Sequence, residues 1–406
     1  MIRRGSLILS LLGLGVVPAA AQPRLTIAAD AQVETVFRWE SQRCMDMHVP
    51  DSPARAMRTA QGGIALFAAH LINIPMLGAD FGHLAPVCAS ASRGEEADDP
   101  AAFRDRFWVQ AVVPFSMQGR PRVLGLASHE YMGWRHPGRC AANFEGDGRR
   151  PAAFRCWYSS ITAVLAEEGD WRFAQIAPPE GVIATSSAPF DRARTTRTGF
   201  FSVSNALIED GHATVLVYTE GVSGQPRGNC LLRAPLADLP GGWQSLAGGT
   251  FMQPLGGAPR EAAGPARPCD VVGDTVFAGA PVRAVLRVST PGGAWWIAVF
   301  TRAAPRGRAD EASDGVFMSA SQDLRRWSTA ERLWAMAPFR SQPEAGVYYE
   351  YPSLIDHASP SAVFDRTATP AGATRIHLYL TRLNLQNRRR GLDRDLVRIA
   401  VTLGGE

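Results

Sequence analysis

Three acidic residues stand where this chain could perform acid–base chemistry. Asp51 lies in Pro50-Asp51-Ser52-Pro53-Ala54-Arg55, Glu130 in His129-Glu130-Tyr131, and Glu350 in Tyr348-Tyr349-Glu350-Tyr351-Pro352. Two carboxylates do such work when one is kept protonated by an apolar or like-charged setting while the other stays ionised. The tyrosines around Glu350 are such a setting, because limited hydration raises a carboxyl pKa. Strand alternation predicts Tyr348 on the side of Glu350, with Tyr349 and Tyr351 on the opposite face. Plainer roles compete with these. Glu350 bonded to an arginine or a backbone amide in a central channel is one, and Asp51 as a turn residue between prolines is another. His129 and Glu130 concentrate polar groups at one strand tip, which makes Glu130 the second candidate acid and His129 a candidate ligand contact.

A repeated β meander must position these groups. Trp295 to Thr301 and Gly315 to Ala320 read as half-buried antiparallel strands, and Val282 to Ser289 supplies a third through Thr290-Pro-Gly-Gly293. The second-strand pattern recurs at Ile64 to Leu71, Arg122 to Tyr131, Ala213 to Gly221 and Ile376 to Leu383. Five divergent meanders spaced about 60 to 80 residues apart predict radial repetition: an all-β, five-bladed β-propeller with antiparallel four-stranded blades. Innermost strands are expected at Arg55 to Thr59, Phe107 to Phe115, from Gly199, at Val282 to Ser289, and from Val347. The last blade lacks an evident fourth strand. Glu34 to Trp39 is spare, and it is expected to complete that blade, since a closed ring leaves no open sheet edge.

In a meander, residues before the first strand and at the end of the second gather on one face of the ring. That places Asp51, Asp99, Glu130, Glu220 and Glu350 at one entrance. Aligned second-strand ends add a column of His70, His129, Glu220, Arg302 and Arg382, a polar-ligand site or simply exposed strand ends. Trp134, in an insertion from Met132 to Arg155, is a candidate stacking platform, whereas Trp157, Trp295 and Trp296 are expected between blades. The Arg388-Arg389-Arg390 run is expected to be a solvated surface. Were it part of the site with Arg302 and Arg382, an acidic ligand would be the natural one.

Composition excludes other chemistries. All 42 basic residues are arginine, so phosphate-binding loops with a Gly-Lys pair and Schiff-base lysines are excluded. There is no Gly-x-Ser-x-Gly elbow, and Gly133 replaces the second histidine that a zincin motif at His129-Glu130 requires. Residues 1–21 read as a secretory signal peptide, followed by a single domain over 22–406. Its removal takes two positive charges from a formal net of +4, leaving about +2. So balanced a chain gives no case for nucleic acid or membrane, and a periplasmic or secreted monomer is expected. Six cysteines in an exported chain predict three disulfides. Proximity favours Cys44 with Cys88, Cys140 with Cys156 and Cys230 with Cys269. No cysteine pair has zinc-site spacing, and no cofactor or metal is expected, with a structural calcium in the channel left open.

The Asp in Pro-Asp-x-Pro-x-Arg (Asp51), the Glu in Glu350-Tyr351-Pro352, and Ser-x-Asp-Leu-x-x-Trp (Ser321 to Trp327) resemble the five-bladed glycoside hydrolases, the arabinanase, xylosidase and invertase-like superfamily. The resemblance covers nearly the whole mature chain at the level of blade organisation. It implies a blade-one Asp as base or nucleophile (Asp51), a Glu as general acid and a third carboxylate that orients the sugar. Glu350 matches the Glu-x-Pro motif but falls in the last blade, where the superfamily has its acid in a middle one; Asp99 is the positional candidate for the third role. Arg55, His70, His129, Trp134, Glu220, Arg302, Tyr349 and Arg382 are then expected at a carbohydrate ligand. The expectation from another class is a non-catalytic propeller that binds a glycan or a protein.

Overall fold

Strands that alternate apolar residues on both faces make sheets with two faces to cover, so each meander needs a neighbour on either side. In the computed structural model, residues 22–404 are described apart from 69, 142–154, 222–223, 256–267, 303–313, 337–345, 369–373 and 388. The expected signal peptide, Arg388 and much of the insertion after Met132 lie outside the described residues.

Five antiparallel meanders follow one another. Blade one is Arg55–Arg58, Ile64–Phe67, Met76–Gly78 and Ala85–Pro86. Blade two is Arg106–Met117, Arg120–Met132 and Trp157–Glu167, edged by Ala174–Gln175 and Val182–Ala184. Blade three is Thr198–Val203, His212–Thr219, Gly228–Pro235 and Gln244–Ala247. Blade four is Ala284–Thr290, Gly293–Arg302, Gly315–Ser321 and Glu331–Ala335. Blade five is Val347–Asp356, Ile376–Asn384 and Arg394–Gly404.

The outer edge of blade five is completed from the other end of the chain, as expected. Glu34–Phe37 pairs antiparallel with the last strand (Thr35 opposite Val397), and Arg24–Thr26 extends the pairing (Leu25 opposite Leu403). Trp39 turns away into a short helix rather than continuing the strand.

Packing closes the circle. Along Ala284–Thr290, Leu286 and Val288 face blade five while Val285 faces blade three; in blade five, Leu378 and Leu380 face blade four while Tyr379 faces blade one. The remaining cores join Met57 and Phe67 to Val109 and Val123, and Leu124 and Leu126 to Val215 and Val217. Among the described residues, five apolar interfaces for five blades cover both faces of each sheet: the fold is a five-bladed propeller.

The axis shows the same arrangement atom by atom. The buried guanidinium of Arg55 donates to Ala54 O (3.1 Å), Ser353 Oγ (3.1 Å), Val203 O (3.2 Å), Arg283 O (2.6 Å) and, closely, Gln110 O. An arginine has five N–H donors, and here each blade supplies one acceptor. Gln110 is the extra residue of a bulge opposite Leu126 and Ala127, and a bulged residue is left out of the ladder, so its carbonyl is available to the axis. Burial and the neighbouring Arg283 lower the Arg55 pKa to about 9. Inward carbonyls of the kind that suit a calcium ion are turned here on a guanidinium. At the far end of the channel, Asp365 and Ala362 accept from Arg287 N (2.8 Å) and Arg58 N (2.8 Å), so the blade-five loop spans that face.

The three expected disulfides, Cys44–Cys88, Cys140–Cys156 and Cys230–Cys269, are present with Cα separations of 5.5, 5.9 and 5.7 Å. Among the described residues no helix is long and apolar enough to cross a membrane.

Candidate active site

At the end of the ring where the first strands begin, Asp51, Glu130 and Glu350 belong to one electrostatic cluster. Asp51 is paired with Arg394 and lies 3.5 Å from His70 Nε2. Glu350 is paired with Arg390 at 2.9 Å, whose guanidinium covers the Tyr348 ring at 4.6 Å. Glu220 is paired with Arg197 at 2.6 Å, and Arg197 stacks on Phe201 (3.4 Å) and Trp157 (5.2 Å).

Glu130 differs from the other acids. Burial pushes its carboxyl from 4.5 up to about 7; the Arg197 charge opposes this, and the nearby Asp51 charge adds to it. Ser128 Oγ lies 3.2 Å from Glu130 Oε1, and the Trp157 indole is a further partner. Burial with a like charge close by is the combination that keeps a carboxylic acid protonated near neutrality. Trp134 packs edge-on against Trp157 (5.3 Å), beside the Cys140–Cys156 bridge, so it buttresses the wall behind Glu130.

Tyr351 corrects the alternation argument. It was expected on the face opposite Glu350, yet its phenol interacts with Asp51, Glu350, Arg283 and Arg394, and burial drives its pKa well up. The cause is a bulge: Glu350 is opposite Thr381 but Ser353 is opposite Tyr379, and Tyr351 takes a left-handed φ of 58°. A non-glycine residue held there stores on the order of 1 to 3 kcal/mol and clusters at functional sites. Tyr349 does follow alternation and packs on Trp334 (4.7 Å) between blades four and five, away from the cluster.

Other expected ligand contacts are placed elsewhere. His129 is wholly buried, accepts from Asp105 N (3.1 Å) and has its pKa lowered by burial to about 3. Adjacent residues of a strand point to opposite faces, so His129 and Glu130 cannot both reach the entrance. Asp99 is exposed and caps a 3-10 turn through Ala101 N (3.0 Å). Arg302 lies over Phe317 (4.9 Å) and donates to Val276 O in the periphery of blade four. Arg382 pairs with Asp395 at 2.6 Å inside blade five. Arg55 has spent all five donors on the channel wall. Sequence reasoning placed Arg390 on a solvated surface and overlooked Arg197, Arg283 and Arg394. Arg197 and Arg283 stand just ahead of the first strands of blades three and four, and Arg394 opens the last strand of blade five, so the rule that gathers these strand ends on one face could have marked all three.

No protein-family model matches the chain, and no curated protein matches it by sequence. Solved structures of five-bladed glycoside hydrolases match it over most of its length. The α-L-arabinofuranosidase catalytic domain of Coprinopsis cinerea has 10% identity and a TM-score of 0.45, covering 95% of this chain and 98% of that one. The Podospora anserina α-L-arabinofuranosidase, solved with cellotriose, has 9% identity and a TM-score of 0.45, covering 95% and 98%. The Cellvibrio cellulosa α-L-arabinanase, solved with arabinohexaose, has 10% identity and a TM-score of 0.40, covering 87% and 92%.

Proposed function

We propose that the protein is a periplasmic or secreted glycoside hydrolase that cleaves an oligo- or polysaccharide with a pair of carboxyl groups. The observation that carries this reading is the contrast between Glu130, held protonated up to about pH 7, and Asp51, ion-paired with Arg394 in the same cluster. Glu130 gives its proton to the glycosidic oxygen of the leaving group. Asp51 then attacks the anomeric carbon or draws a proton from water, according to whether the carboxyls stand about 5 Å or about 6.5 to 9.5 Å apart around the sugar. Glu350, held by Arg390, orients the substrate. Three disulfides fit an oxidising compartment outside the cytoplasm.

A panel of aryl glycosides assayed with wild type, Glu130→Gln and Asp51→Asn tests this. Each substitution should lower kcat about a thousandfold or more, and the wild-type rate should fall as pH rises through about 7. Turnover that survives both substitutions removes the assignment. A second reading has its own support, because Asp51, Glu220 and Glu350 each carry an arginine partner. It is a propeller that binds a glycan without cleaving it, and it requires saturable binding with no product from any glycoside.

A further inference from the structure

Three of the arginines in the cluster have carboxylates of their own: Arg394 on Asp51, Arg390 on Glu350 and Arg197 on Glu220. Arg283 has none. Its Nη1 donates to Ser202 Oγ at 2.9 Å, its guanidinium lies 5.2 Å from the centre of the Tyr351 ring, and its Nε is buried without an acceptor. Among the described residues it forms no ion pair. Glu350 and Asp51 act on it only from farther off, while Arg197 repels it.

Beneath it lies a second positive charge. Arg55 donates to the Arg283 carbonyl at 2.6 Å and is neutralised by no carboxylate, only by four carbonyls and a hydroxyl. Two guanidiniums therefore share the floor of the cluster, and the upper one keeps part of its surface open to solvent although its Nε is buried without an acceptor. A cation withdrawn from water without a partner is costly, and an arriving anion removes that cost. The planar fork of arginine matches a carboxylate, and the protonated Tyr351 beside it adds a neutral donor.

We propose that Arg283 receives a ligand carboxylate, so that the sugar recognised by this protein is a uronate. The inference rests on reading the cluster as a ligand site, as under the proposed function, but not on bond cleavage.

The test is titration calorimetry of the full chain with galacturonate, glucuronate and mannuronate trisaccharides, each beside its carboxyl-reduced counterpart. At least one uronate should bind about tenfold to a hundredfold more tightly than its reduced form, the range of one charge-assisted hydrogen-bonded pair. Arg283→Gln keeps the backbone carbonyl that Arg55 uses, and it should abolish that preference; Arg283→Lys should keep part of it. Equal binding of each acid and its reduced form by the wild type overturns the proposal without recourse to a variant. So does binding of none of them, or a preference that Arg283→Gln leaves intact. Uronate preference without hydrolysis would sink the proposed reaction and leave this inference standing, whereas cleavage of neutral glycosides without that preference would do the reverse.

Discussion

Replacing Glu130 with glutamine probes the protonation state on which the proposed reaction depends, by a route that needs no substrate. The carboxyl is raised from 4.5 to about 7, chiefly by burial, with Arg197 opposing and Asp51 reinforcing the shift. A group whose pKa is higher in the folded chain holds its proton more tightly there. Its stabilising contribution is complete below the unfolded value and is lost as pH climbs through the folded one, between about 4.5 and 7. The loss is about 2.5 pH units at 1.36 kcal/mol each, or about 3 kcal/mol, and less where water reaches the part-buried carboxylate. Glutamine has no proton to lose. Urea unfolding of wild type and Glu130→Gln should therefore give a stability gap that shifts in favour of the variant by about 2 to 3 kcal/mol between pH 4 and pH 8.5. Groups common to both proteins cancel in that difference. A gap that stays constant over this range, or shifts towards the wild type, refutes the electrostatic argument.

Two further outcomes concern the ring itself. Arg55→Met leaves inward carbonyls without donors, and urea unfolding should show a loss of about 3 kcal/mol or more; Arg55→Lys, with three donors for five acceptors, should recover only part of it. Deleting residues 22–37 strips both outer strands from blade five and removes Leu25 and Phe37 from their cores. Size-exclusion chromatography should then show self-association through the bared edge, whereas a monodisperse monomer would show that the ring does not depend on that closure.

Much of the architecture was legible because strand periodicity is a local property. The alternation in Val282 to Ser289 and Ile376 to Leu383 marks half-buried strands, and a repeat of meanders built from them finds cover by packing against neighbours of its own kind around a ring. The closing strand at Glu34 was inferable by elimination, since one blade was short. The disulfides followed chain proximity, because each ties a loop to its own or an adjacent blade. Asp51, Glu130, Glu350 and His70 were reached through the same rule that sets which strand ends share a face.

The rule failed wherever one residue altered the parity of a strand or a distant partner claimed a side chain. His129 was paired with Glu130 by position and separated from it by alternation. Tyr351 falls on the other face because the strand bulges there; Pro352 marks an edge or a bulge, but nothing in Glu-Tyr-Pro-Ser announces a left-handed residue before it. Arg55 read as a substrate ligand beside Asp51, yet its acceptors come from Gln110, Val203, Arg283 and Ser353, up to 298 positions away.

The sequence by itself determined the number of blades, their order, the closure of the ring and the end at which acidic groups collect, because these follow from short-range patterns of apolar residues and turns. Only the tertiary structure decided which acid is held protonated, which arginines of the cluster are paired, and that Arg55 and Arg283 are left without a counter-charge. Those properties depend on burial and on charges brought together from all five blades, and electrostatic neighbours at the axis of a ring are remote along the chain.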